Sequence, residues 1–128
     1  MRCCVVAHYP LIAVVDDDDS VRESLRGLFR SVGYAARGFA SGADFLQSDD
    51  LPRTDCVVLD ARLPGMTGLD VQRRLISSHP DLPVIFMTAH DDAQTRSQAL
   101  SDGAAGYLIK PFSEEALLDA VQAALGST

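Results

Sequence analysis

Short apolar runs alternate along this chain with stretches in which apolar residues return every three or four positions, and the alternation repeats five times. Runs of about four or five residues suit buried strands, and the three-to-four spacing suits one face of a helix. The pattern therefore predicts successive βα units and a parallel sheet. Leu11 to Val15 is the first run and stops at Asp16 to Asp19; Val21, Leu25, Leu28, Phe29 and Val32 then mark a helix face that Gly33 closes. Tyr34 to Phe39 reads as a short strand, after which Ser41 and Asp44 are spaced as a capping box for a helix reaching Gln47, with a loop over Ser48 to Arg53.

The third strand, Cys56 to Leu59, ends at Asp60. After the turn Leu63-Pro64-Gly65-Met66, Thr67 and Asp70 form a second capping-box pair for a helix carrying Leu69, Leu75 and Ile76. Val84 to Met87 is the fourth strand, leaving at Thr88, and Ala93 to Ser101 its helix, stopped by Gly103. Gly106 to Ile109 ends at Lys110-Pro111. Ser113 then caps a last helix with Ala116, Leu117, Ala120, Val121, Ala124 and Leu125 on one face.

In a parallel sheet with right-handed crossovers, every residue that follows a strand lies along one edge, which is where ligands bind. That edge would collect Asp16 and Asp17, Asp60, Thr88 and Lys110. Singly, such residues serve as well for turns and caps, and Asp18 or Asp19 is expected to be a cap. Together, three converging carboxylates repel one another unless a cation neutralises them. Lys110 supplies one positive charge and a divalent ion would supply more. This lysine stands alone among ten arginines. A compact ammonium acts as a point charge where a planar guanidinium would not fit.

Composition narrows the class. With 128 residues, 47% of them hydrophobic and 23% charged, the chain suits one globular domain. A formal charge of −7 opposes direct binding to nucleic acid or anionic membrane. Three cysteines, with Cys3 and Cys4 adjacent and Cys56 inside an apolar run, give neither a disulfide framework nor ligand spacing to a histidine, so a reducing, cytoplasmic setting is expected. No segment approaches the roughly 18 apolar residues of a membrane span.

On Val14-Val15-Asp16-Asp17, Val57-Val58-Leu59-Asp60, Leu63-Pro64-Gly65-Met66-Thr67-Gly68, Met87-Thr88-Ala89 and Lys110-Pro111-Phe112, the chain resembles the receiver domains of two-component response regulators. The resemblance spans Leu11 to Leu125. It implies a flavodoxin-like (βα)5 fold with strand order 2-1-3-4-5, a receiver domain over residues 11–126, and an N-terminal extension over residues 1–10 that the family pattern does not explain. It implies that Asp60 is the phosphoacceptor, that Asp17 binds Mg²⁺ directly and Asp16 through water, and that the backbone carbonyl of Arg62 is a further ligand. By the same resemblance Thr88 holds a phosphoryl oxygen, Lys110 pairs with the phosphoryl group, Tyr107 is the rotating aromatic of the switch, and Arg62 and His90 tune self-dephosphorylation. The Lys110-Pro111 bond is often cis in such domains. The implied partners are a sensor histidine kinase or phosphotransfer protein, a second copy on phosphorylation, and an output module reached through the face of residues 93–125. The domain itself would be no enzyme beyond its own phosphotransfer and autodephosphorylation.

Three other classes remain to be weighed. A haloacid dehalogenase-type hydrolase carries a second acid two residues after its aspartate, where this chain has Arg62, and there is no length for a cap domain. A nucleotide-binding domain needs a glycine-rich loop after the first strand, where this chain has aspartates. A phosphorylation-independent interaction module of the same fold would have no need for Asp16, Asp17, Asp60, Thr88 and Lys110 together.

Overall fold

The computed structural model describes residues 9–126, so Cys3, Cys4 and most of the expected N-terminal extension lie outside the described residues. Five strands, β1 (Leu11–Val15), β2 (Ala35–Phe39), β3 (Cys56–Asp60), β4 (Val84–Thr88) and β5 (Gly106–Ile109), form one sheet in the order β2-β1-β3-β4-β5, every pair parallel. The helices α1 (Asp19–Ser31), α2 (Gly42–Leu46), α3 (Gly68–Ser78), α4 (Ala93–Ser101) and α5 (Glu114–Gly126) make the connections. This is the flavodoxin-like arrangement expected from the sequence.

Because successive strand residues face opposite ways, each buried strand feeds two cores. Ile12 and Val14, Cys56 and Val58, and Ile85 and Met87 pack with Leu25 and Phe29 of α1 and Leu117 and Val121 of α5. Ala13 and Val15, Val57 and Leu59, and Val84 and Phe86 pack instead with Phe45 of α2, Val71 and Leu75 of α3, and Ala99 of α4. Burial on both faces is why these strands read as continuous apolar runs rather than as alternations.

Caps set the helix ends. Asp18 is the N-cap of α1 and accepts from the amides of Ser20 and Val21 at 2.8 and 3.3 Å. Thr67 and Asp70 form the reciprocal capping box of α3. At α2 the Ser41 hydroxyl accepts from the Asp44 amide at 3.1 Å, which is half of the expected box. Gly33 and Gly103 end α1 and α4 at φ of 96° and 99°, a conformation that side-chain-bearing residues rarely adopt.

Four expectations are corrected. β3 and β4 each run one residue further, so Asp60 and Thr88 are the last residues of their strands, in register with Met87 and Ile109. Ile76 is 45% exposed; α3 turns Val71, Gln72 and Leu75 inward instead. Val32, assigned to the buried face of α1, is its exposed C-cap. The segment expected to be loop before β3 contains a 3-10 turn over Leu51–Arg53.

Candidate functional site

The strand order reverses between β1 and β3, so the crevice at their C-terminal ends is the topological switch point. Backbone hydrogen bonds carry the ladder past the strand ends there. The Asp16 amide donates to the Phe39 carbonyl at 3.1 Å, the Ala61 amide to Met87 at 2.9 Å, and the Lys110 amide to Thr88 at 2.7 Å. The side chains at this edge are therefore held by sheet backbone on both sides rather than by free loops.

Asp16, Asp17 and Asp60 each bring a carboxylate oxygen to within 4.8 Å of the others. Asp16 is 1% exposed and Asp60 8%. The Lys110 Nζ donates to Asp16 Oδ2 at 2.9 Å and to Asp60 Oδ2 at 3.3 Å, bridging the two strands across the crevice. The other carboxylate oxygens are held by main chain: Asp16 Oδ1 accepts from the Asp18 amide and Asp60 Oδ1 from the Arg62 amide, both at 2.9 Å. The Lys110-Pro111 peptide is cis.

The electrostatics follow from this packing. Burial pushes the Asp60 carboxyl above its ordinary value; the Arg62 amide and the Lys110 charge pull the other way without cancelling it, and Asp16 adds repulsion. Burial alone would lower the Lys110 ammonium, but its hydrogen bond to Asp16 and the charges of Asp60 and Asp16 outweigh that and raise it. A hard divalent cation takes oxygen ligands of this kind, and a cluster of three carboxylates facing one ammonium retains net negative charge. The donor set thus fits a metal ion of the Mg²⁺ type.

Thr88 is buried, but its hydroxyl is turned to its own loop, accepting from the His90 amide and donating to the His90 carbonyl, each at 3.1 Å. The His90 side chain and Arg62 are exposed at the rim. Thr88, His90, Arg62, Asp92, Thr95 and Tyr107 line a small cavity of about 30 Å³ beside Ala61. Tyr107 is half-buried, stacked on Phe86 at a centroid distance of 6.0 Å, with the Arg96 guanidinium 5.8 Å over its ring. Its hydroxyl is buried without a partner. Burial, together with the charges of Asp92 and Asp91, pushes that phenol above its ordinary value.

Two residues that spacing did not single out also shape the site. A Cβ on Gly68 would lie 2.8 Å from the Asp60 carbonyl oxygen and 2.9 Å from Ala61 Cα, so α3 can start this close to the acid only with glycine there. The signal was present in the Thr67-Gly68 pair following the turn. Arg22 Nη1 donates to the Asp16 carbonyl at 2.7 Å. Its signal was a cation in the opening turn of a helix, where the dipole disfavours it.

A parallel α/β sheet with an acidic, lysine-bridged pocket at its switch point defines a flavodoxin-like protein with a carboxylate cluster that could hold a cation at that edge. Comparison with known proteins is more specific. The response regulator receiver domain family matches residues 12–122. The chain is 46% identical over 114 residues to nodulation protein W of Bradyrhizobium diazoefficiens, covering 89% of this chain and 50% of that protein. It is 45% identical over 125 residues to the transcriptional regulatory protein TdiR of Thauera aromatica, covering 98% and 55%. The crystal structure of a response regulator receiver protein from Burkholderia phymatum superposes with a TM-score of 0.79 at 48% identity, covering 93% of this chain and 97% of that one. The chain belongs to the response regulator receiver domain family, the signalling domains of two-component systems. It spans about half the length of the curated relatives it matches. Among the described residues no helix is long and apolar enough to cross a membrane.

Proposed function

We propose that this domain receives a phosphoryl group on Asp60 from a sensor histidine kinase or phosphotransfer protein, and that phosphorylation alters the face of residues 93–125 to control an output. The observation that carries this reading is the bridge from Lys110 Nζ to Asp16 and Asp60 at 2.9 and 3.3 Å, within a cluster of three carboxylates. Phosphoryl transfer asks a protein for positioning and charge neutralisation more than for covalent chemistry. An Asp60 oxygen attacks phosphorus, the bond to the donor nitrogen breaks, and the released imidazole recovers its proton from solvent.

Asp16, Asp17 and Asp60, with the Arg62 backbone carbonyl, would hold Mg²⁺, which would neutralise oxygens of the incoming phosphoryl group. Lys110 pairs with the group once it is transferred, since an ammonium already placed between two carboxylates can follow the new negative charge. Thr88 gives up its bond to the His90 carbonyl and donates to a phosphoryl oxygen. That draws residues 88–92 toward the site and changes the wall that Tyr107 packs against. Arg62 and His90, exposed at the rim, govern water access and hence the lifetime of the acyl phosphate. Such a change shifts two pre-existing populations by as much as phosphate favours one of them.

Residues 11–126 act as the receiver unit, in a cytoplasmic setting, with residues 1–10 an appended segment. The relatives named as transcriptional regulators suggest a transcriptional output, reached through dimerisation or an output module rather than by this acidic domain touching nucleic acid. Intact-mass measurement with Mg²⁺ and acetyl phosphate tests the reading: one phosphoryl group is expected on the wild-type chain and none on Asp60→Asn. An unmodified wild-type protein would favour the phosphorylation-independent interaction module.

A further inference from the structure

We infer that Arg22 is a positioning residue for the acidic pocket, and that Gly38 on the edge strand β2 is the notch through which its side chain reaches the main chain of Asp16. The part of this inference that concerns a cation rests on the phosphoacceptor reading above.

Arg22 lies in the first turn of α1, where the helix dipole disfavours a cation. It nevertheless reaches the main chain of the site: Nη1 donates to the Asp16 carbonyl oxygen at 2.7 Å, and Nη2 pairs with Asp19. The bonded atom matters. The carbonyl of Asp16 and the amide of Asp17 belong to one rigid peptide plane, so a grip on that oxygen fixes the direction in which the chain leaves for Asp17. The two acids that share this plane contribute two of the three clustered carboxylates. The opposite side of Asp16 is fixed as well, by its amide on the Phe39 carbonyl and its Oδ1 on the Asp18 amide. Arg22 completes the set, so that the main-chain N–H, the main-chain oxygen and both carboxylate oxygens of Asp16 each have a partner.

The path of the side chain depends on β2. Gly38 pairs with Val14 in the sheet, two residues before Asp16. A Cβ placed on it would stand 3.3 Å from Arg22 Cδ and 3.6 Å from Arg22 Cβ, and 3.2 Å from Arg26 Cδ. The negative φ of a strand does not call for glycine there, and glycine weakens a strand interior. Close passage of two arginine stems, those of Arg22 and Arg26, is the local reason for its presence.

The sign of the cation effect separates positioning from plain charge. Arg22 brings a positive charge near the pocket, so its removal, taken as charge alone, would tighten binding of a dication. Removal of a positioning contact weakens binding, and outer partners of metal ligands are typically worth on the order of tenfold or more. Calorimetric titration of the full chain with MgCl₂, alongside amide exchange at residues 16–18 without metal, decides between them. Arg22→Met is expected to weaken Mg²⁺ binding by roughly tenfold and to speed exchange of the Asp18 amide. Gly38→Ala, which changes no charge, should move both readouts the same way, and move them less in an Arg22→Ala background, where only the Arg26 stem remains beside it. Arg26→Ala should leave both unchanged. Tighter or unaltered Mg²⁺ binding by Arg22→Met with unaltered exchange overturns the inference, and a silent Gly38→Ala overturns the notch. If the wild-type chain binds no Mg²⁺, the phosphoacceptor reading fails separately. The exchange arm then decides alone: faster exchange in both variants sustains the positioning role, and unchanged exchange removes it.

Discussion

Lys110 Nζ lies 2.9 Å from Asp16 Oδ2, joining the end of β5 to the end of β1 across the two strands between them. Asp16 is almost wholly buried while the lysine side chain remains 22% exposed, so the ammonium is what makes the buried charge tolerable. Lys110→Met should destabilise the fold by about 2 kcal/mol, below the cost of breaking a fully buried pair because the lysine is partly solvated. Urea unfolding measures it. A loss under about 0.5 kcal/mol would mean that water, not Lys110, neutralises Asp16.

Asp60 carries the opposite sign. Its folded-state value is raised above the ordinary 3.8, chiefly by burial. Its contribution to stability is therefore full below that ordinary value and lost as pH rises through the folded one. At neutral pH the ionised group is a burden. Asp60→Asn is expected to raise the thermal midpoint by on the order of a few degrees at pH 7, and the advantage should shrink as the wild-type carboxyl protonates on acidification. A variant less stable than wild type at pH 7 would contradict this.

At the start of α3, Gly68→Ala puts a methyl 2.8 Å from the Asp60 carbonyl and 2.9 Å from Ala61 Cα, both backbone atoms that cannot step aside. The expected cost is about 2 kcal/mol, together with displaced amide resonances for residues 60–62 in an NMR spectrum. Resonances that stay in place would show that α3 shifts instead of the site.

Gln72 is buried in α3 and donates from Nε2 to the Ala99 carbonyl at 3.0 Å, while its Oε1 has no partner. The Ala99 carbonyl also accepts from the Ala104 amide at 2.9 Å, so loss of Gln72 leaves no orphan there. Gln72→Met keeps the volume and removes an unsatisfied oxygen, so stability should be unchanged or rise by up to about 1 kcal/mol. Amide exchange in α4 should quicken at the same time, because its tie to α3 is gone. A clear destabilisation would mean that the single hydrogen bond outweighs the orphaned acceptor.

The fold was legible because β1, β3 and β4 are buried on both faces: each announces itself as an unbroken apolar run ended by a charged or hydroxyl residue, whereas the edge strand β2, with Arg37 and Gly38, does not. The edge set followed from topology, since Asp16, Asp60, Thr88 and Lys110 had to share one side once the strands were parallel. Strand limits were less legible. Asp60 and Thr88 are polar yet retain ladder hydrogen bonds, and polarity alone placed them one residue outside. Ile76 misled for the converse reason: helix phase is set by packing, and α3 turns Gln72, a polar residue with a specific partner, into the position periodicity reserves for an apolar one. Arg22 was hidden because its partner is a main-chain oxygen, which no side-chain spacing records.

The helices differ in how much buried side chain anchors them to the sheet. In α4 Ala99 is the one buried residue, whereas α1, α3 and α5 each bury larger side chains against the sheet. Apolar burial is worth about 25 cal/mol per Å², so α4 itself gains little from the core, chiefly the burial of Ala99. The helix is a hatch set into an otherwise closed wall. The apolar burial that holds helices to this sheet thus rests mainly on α1, α3 and α5, and little of it lies under α4.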